Sequence, residues 1–226
     1  MPLRKEDLLV NENEALDRLN ALLPLADNQN RLEAPLRKLH RKVLQDFGGR
    51  GYPPSREEMT NELGDIPLDD ALQKLASDDL LVLSPDRREI SGAYPFTVEE
   101  RVHTVSVNGH KLHAMCALDA LSVAPMFDAV TTVKSRCHVT GDPIEIGMQG
   151  ATVLSASPGR PWVGIRWQGT SGCAARSLCL DMVFLRDWET ADGWQVQDSD
   201  NISILDLPSA IALGAAFFCP LLEQAG

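Results

Sequence analysis

Apolar residues recur at spacings of three and four through Leu32, Leu36, Leu39, Val43 and Phe47, one stripe of an amphipathic helix that GGRGYPP (48–54) ends. Ser55 with Glu58 forms a capping-box pattern, opening a short helix that stops at Gly64. Leu68, Leu72 and Leu75 mark the apolar face of another helix, and LLVL and ISGAY flank SPDRRE as a small hairpin. Residues 1–95 therefore predict mostly helix and then a hairpin, the outline of a winged helix-turn-helix.

From residue 96 the pattern changes. HTVSV and HKLHAM flank Asn108-Gly109, a strong hairpin signal because both turn positions require positive φ. ALDALSVAPMF follows as a short helix interrupted by Pro125. VTTVKS and CHVTGDPIEI read as strand, turn and strand. ATVLSA, WVGIRW and SLCLDMVFL are further strands, linked by SPGRP and QGTSGCAA. DWETADGWQ and PSAIALGAAFF are closing helices, with ISIL as a strand between them. The expected fold is α+β: a helical, winged-helix-like region (1–95) packed on a mixed or antiparallel sheet with flanking helices (96–226).

Charge decides how the first region is read. The second helix of the pair, the one that would enter a major groove, carries Asp65, Asp69, Asp70, Asp78 and Asp79 against Lys74, and the whole chain has a formal net charge of −11. Carboxylates facing phosphates oppose binding, so the region is expected to be a packing module with no nucleic-acid partner. MPLRKEDLLVNENEAL lacks the apolar stretch of a signal peptide, and IALGAAFFCPLL is broken by Pro220 and too short to span a bilayer. No membrane association and a cytoplasmic location are expected. In that setting the five cysteines are expected to be free thiols.

The candidate chemistry lies in HAMCALDAL (113–121). Cys116 falls where a strand gives way to a helix, and the unpaired N–H groups of a first helical turn favour thiolate. Asp119, three residues on, shares its face. Under period-two alternation Cys179 lies on one face of the strand RSLCLDMVFL with Asp181 and Val183, which suits either a cleft or core packing. Cys137-His138 has no C-x-x-C partner, so a structural zinc is not expected. Cys173 sits in a small-residue loop as an incidental or accessory thiol, and Cys219 reads as packing. His40, His103, His110 and His113 form no i,i+4 metal pair.

HKLHAMCALDALSVAPMF, VKSRCHVTGDPIEI and RSLCLDMVFLRDWETADGW together resemble the organomercurial (alkylmercury) lyases of bacterial mercury resistance, over residues about 96–219. The resemblance implies an α+β fold and protonolysis of the carbon–mercury bond of R–Hg⁺ to R–H and Hg²⁺. It implies Cys116, Asp119 and Cys179 as the catalytic residues and as the ligands of product Hg²⁺, with Cys137 structural. No organic cofactor is implied; exogenous thiols or a mercuric reductase would accept the product. Met115 stands where the family commonly has an aromatic residue, which bears on the organic-group pocket. The alternatives are a relative that binds a thiophilic metal (Hg²⁺ or Cu⁺) or handles another thiol-reactive substrate without cleaving carbon–mercury bonds, and a metal-responsive transcription factor.

Overall fold

Strand pairing organises the molecule around two antiparallel sheets, in a computed structural model that describes residues 12–167, 169 and 172–223. The first eleven residues, on which part of the signal-peptide reading rests, lie outside the described residues. Among the described residues five helices come first: α1 (Glu12–Leu22), α2 (Leu25–Asn30), α3 (Ala34–Arg50), α4 (Arg56–Leu63) and α5 (Leu68–Ser77). The leucine stripe of α3 is buried as its spacing predicts, with Leu39, Val43 and Phe47 fully enclosed. At α4 the capping box is complete: Glu58 N–H donates to Ser55 Oγ (3.2 Å) and Ser55 N–H to Glu58 Oε2 (2.7 Å), and Gly64 ends the helix.

The larger sheet follows the order β1-β2-β3-β5-β4-β6-β7-β8, from β1 (Val82–Leu83), β2 (Ile90–Ala93), β3 (Phe96–Thr97), β4 (His103–Val107), β5 (His110–Ala114), β6 (Val130–Arg136), β7 (Pro143–Gln149) and β8 (Thr152–Ser157). Asn108 (φ 48°) and Gly109 (φ 79°) turn β4 into β5 with both central residues left-handed, as the Asn-Gly pair predicts. The smaller sheet, β10-β9-β11, comprises β9 (Trp162–Arg166), β10 (Met182–Leu185) and β11 (Ile202–Asp206). A backbone bond from His138 N–H to the Phe184 carbonyl (2.8 Å) joins the turn after β6 to β10.

Helix α6 (Ala117–Phe127) lies between the sheets, touching β4, β5, β6 and β10 and packing along α8 (Leu207–Phe218). It is buried nearly all round, the expected state of a helix apolar on every face. Pro125 does not interrupt it, contrary to the sequence reading. The proline falls in the last turn, enclosing neighbours hold the helix together, and Asp128 ends it in the left-handed conformation (φ 45°). Helix α7 (Trp188–Gln195) starts at an N-cap Asp187 and packs on the smaller sheet. The core is continuous from Leu19 and Leu39 to Leu118 and Phe217. Among the described residues no helix is long and apolar enough to cross a membrane.

Candidate active site

Cys116 is the N-cap of α6, in extended backbone conformation at the end of β5. Its Sγ accepts the Asp119 backbone N–H at 3.3 Å, the bond that a serine or aspartate oxygen usually makes at a helix start. The side chain of Asp119 turns to the same place from the first helical turn, as its i+3 spacing requires. Cys179 arrives from a different segment, a 3-10 turn (Leu178–Asp181) immediately before β10. The ligand atoms of Cys116, Asp119 and Cys179 lie within 4.8 Å of one another, and all three residues are buried. Among the described residues this is the one His, Cys, Asp or Glu cluster close enough to hold a metal ion.

The strand reading of RSLCLDMVFL is corrected over its first half. Strand β9 ends at Arg166 and Met182 already pairs with Ile165, so residues 178–180 run past the last β9 residue, and the segment 178–181 coils into a turn. That turn carries Cys179 off the sheet and toward Cys116. Met182, the first residue of β10, brings its Sδ to 3.7 Å from Cys116 Sγ, adding a soft sulfur beside the thiols.

Burial dominates the protonation of the cluster. It pushes the Asp119 carboxyl up to about 7, against the lowering effect of hydrogen bonds from the Cys116 side chain and backbone. Asp119 Oδ2 is buried with no hydrogen-bond partner. Burial also raises the Cys116 thiol well above its ordinary value, assisted by the contact with Cys179 and the Asp119 charge; the Asp119 N–H acts the other way. The expected lowering of this thiol by its helix N-terminus is therefore outweighed. At Cys179 the hydrogen bond with Cys116 lowers the thiol, but burial and the Asp119 and Asp79 carboxylates raise it further. In the resting site both thiols keep their protons, beside a carboxyl able to exchange one near neutrality.

A cavity of about 470 Å³ reaches the cluster from the Cys179 side, lined among others by Arg101, His103, Met115, Arg136, Cys137 and Cys179. Of the three cluster residues, Cys179 is the one that lines it. His103 hydrogen-bonds Ser135 Oγ through Nδ1 (2.8 Å) and stacks edge-on to Phe184, and burial lowers its pKa to about 4, so it is a neutral wall residue. Burial would raise the Cys137 thiol, but hydrogen bonds from Thr140 and from the Val139 and Arg186 backbone outweigh it and hold the thiol below its ordinary value. Cys219 begins the terminal 3-10 turn and packs against the core. Cys173 is half-buried, with its sulfur 3.3 Å from Tyr94 Oη. Sequence reasoning missed Asp79, Tyr94 and Met182, which meet the cluster or its supporting segment only through the tertiary fold.

An α+β protein with two buried thiols and one raised carboxyl converging at a helix start is built to grip a thiophilic atom and to move a proton beside it. The alkylmercury lyase (MerB) family model matches residues 96–219, and the chain belongs to that family. The alkylmercury lyase of Pseudomonas putida is 28% identical over 128 residues, 57% of this chain and 60% of that protein's length. The alkylmercury lyase of Bacillus cereus is 25% identical over 176 residues, 78% of each chain. In fold, the chain is similar to the crystal structure of the mercury-bound form of MerB2, with a TM-score of 0.76, 19% identity, and coverage of 93% of this chain and 100% of that one.

Proposed function

We propose that this protein cleaves the carbon–mercury bond of organomercurials, with Cys116, Cys179 and Asp119 as its catalytic residues. The observation that carries this reading is the convergence of two thiols and a carboxyl within 4.8 Å inside a family of alkylmercury lyases. One thiol takes R–Hg⁺ from its incoming thiol carrier, its proton leaving with the carrier thiolate that it displaces. Asp119 accepts the proton of the second thiol, which then binds mercury and raises its electron density, weakening the bond to carbon. The protonated Asp119 delivers that proton to the departing carbon, giving R–H, while Hg²⁺ stays on the two sulfurs. Two thiol protons are released in all: one leaves on the displaced carrier thiol and one ends in the hydrocarbon.

A carboxyl raised to about 7 suits both halves of this exchange, since it is neither a strong acid nor fully protonated at working pH. A pure mercury carrier needs two thiolates but no such proton donor, and this favours the lyase over a binding protein. Exogenous thiols remove the product in this reading, with a mercuric reductase as a further acceptor, and the site of action is the cytoplasm. The division at residue 95 is retained as a functional one: the winged-helix-like helices and hairpin serve as packing for the catalytic half. The test is hydrocarbon release. Reduced protein given methylmercury or phenylmercury is expected to yield methane or benzene, and Cys116→Ser none. Retention of mercury without hydrocarbon from the intact protein would replace the lyase with a binding protein.

A further inference from the structure

The segment that delivers Cys179 has little regular structure of its own. Residues 174–181 form two consecutive 3-10 turns, Ala174–Arg176 and Leu178–Asp181, before the strand begins. Hydrogen bonds from outside the segment fix its start. The Ala174 N–H donates to Asp79 Oδ2 (3.0 Å) and the Ala175 N–H donates to Tyr94 Oη (2.8 Å). The Tyr94 hydroxyl in turn donates to Asp79 Oδ1 (3.0 Å). A hydroxyl has one proton and two acceptor sites, so the Cys173 sulfur at 3.3 Å fills the remaining place as the thiol donor. Each donor of this bracket then meets an acceptor, the Tyr94 hydroxyl giving one hydrogen bond and taking two.

The bracket is well enclosed. Tyr94 is 1% exposed, and Ala174 and Ala175 are buried. Burial raises the Tyr94 hydroxyl far above its ordinary range, so it stays a proton donor to Asp79 at any working pH. Asp79 holds its position at a cost, in the left-handed conformation at φ 55° just beyond α5. Its neighbour Leu80 returns its N–H to the Leu75 carbonyl (2.9 Å), closing the end of the helix. Asp79 thus stands where the helical region ends, and its carboxylate reaches across to the catalytic half.

We infer that Asp79 and Tyr94 are positioning residues, which hold the two 3-10 turns so that Cys179 meets Cys116 and Asp119. This rests on the proposed lyase reading for its effect on turnover, but the geometry it asserts, two thiols at chelating distance, is independent of that chemistry. The helical region then does more than pack: through one aspartate it sets the second thiol. A displacement of about 1 Å at a reacting group costs on the order of 10²-fold in rate, so small losses at the bracket are amplified at the sulfur pair.

The experiment uses the full chain with Asp79→Ala, Asp79→Asn and Tyr94→Phe, and two measurements. The first is kcat and KM for hydrocarbon release from phenylmercury. The second is binding of phenylarsine oxide, a probe whose tight capture needs two neighbouring thiols, with Cys173→Ser as background so that Cys173 does not contribute. Expected are a fall in kcat of tenfold or more for Asp79→Ala and Tyr94→Phe with KM changed less than threefold, and arsenical affinity weakened at least tenfold while circular dichroism stays that of the folded protein. Asp79→Asn, which keeps one oxygen for the Ala174 N–H, is expected to recover part of both. Folded variants with arsenical affinity and kcat within twofold of the parent would overturn the inference. If Asp79→Ala does not fold, Asp79→Asn and Tyr94→Phe decide it by the same thresholds. If the parent releases no hydrocarbon but binds the arsenical tightly, the lyase reading fails while the arsenical comparison still tests the bracket.

Discussion

Asp119 donates its backbone N–H to Cys116 Sγ at 3.3 Å while its own Oδ2 faces the protein interior without a partner. The sulfur therefore doubles as helix cap and proposed mercury ligand. A serine in its place caps equally well, so Cys116→Ser separates the two roles. Its melting temperature is expected within a few degrees of the parent, and hydrocarbon release at background. Cys179→Ser, which touches no cap, is expected to match it. Turnover surviving either change would remove that sulfur from the mechanism.

Burial, with one carboxylate oxygen left unpartnered, makes charged Asp119 costly to the fold. Its folded pKa, about 7, lies above the ordinary 3.8, so between these values the native state holds a proton that the unfolded chain has lost. Stability from this group is complete below pH 4, falls as pH rises toward 7, and is gone above, a loss of about 4 kcal/mol. Asp119→Asn is neutral throughout. Chemical denaturation should find it more stable than the parent at pH 8, with the advantage vanishing near pH 4. Turnover is expected to fall by about 10²–10⁴-fold, the usual worth of a positioned proton donor. An asparagine variant that is less stable at pH 8 would contradict the buried-charge account.

Two buried histidines impose the opposite trend. His40 accepts from Gln29 Nε2 at Nδ1 (2.8 Å); burial holds it near 4, with the Leu80 backbone bond raising it and the Arg41 charge lowering it. His103 is likewise near 4, by burial and then Arg101. Each folded value lies below the ordinary 6.5, so the unfolded chain binds the extra proton as pH falls from 6.5 to 4. Each then removes up to about 3 kcal/mol. In the parent, Asp119 offsets part of this loss over the same range. Asp119→Asn is therefore expected to unfold more steeply on acidification, and His40→Asn less steeply. Parallel urea midpoints for all three proteins from pH 7 to 4 would refute this balance.

Local signals carried far because they describe interactions within a few residues. The capping box at Ser55 and Glu58 and the Asn108-Gly109 turn formed as written. The Cys116–Asp119 pairing was visible because helix geometry fixes an i+3 neighbour. Cys179 is a candidate site residue through resemblance, and the structure brings it to Cys116 and Asp119 from a 3-10 turn where alternation predicts a strand. Alternation cannot reveal that the partner strand ends at Arg166, a fact of the pairing between distant segments. Pro125 misled for a related reason: its neighbours in space, absent from any local pattern, hold the last turn of α6. The thiol pKa went wrong because the helix N-terminus is local, whereas the burial that overrides it is global. Asp79 and Tyr94 lie 95 and 81 residues from the backbone groups they hold, beyond the reach of any spacing rule.

Helices α6 and α8 approach closely at Gly214, where an added Cβ would overlap Ser122 Oγ and come within 3.5 Å of Leu118. Ser122 is itself bound to the Leu118 carbonyl (2.7 Å), so it has little room to turn away. Gly214→Ala must therefore move one helix against the other. In its favour alanine is the better helix former, worth about 1 kcal/mol, but overpacking a filled interface costs about 1–3 kcal/mol. A net loss of stability is expected, read as a lower denaturation midpoint. Because Ser122 lies one turn beyond Asp119 on α6, the shift also reaches the site. Turnover should drop several-fold at temperatures where the variant remains fully folded. A midpoint equal to or above the parent's would mean that the interface yields, and that α6 is held in place from the sheet side alone.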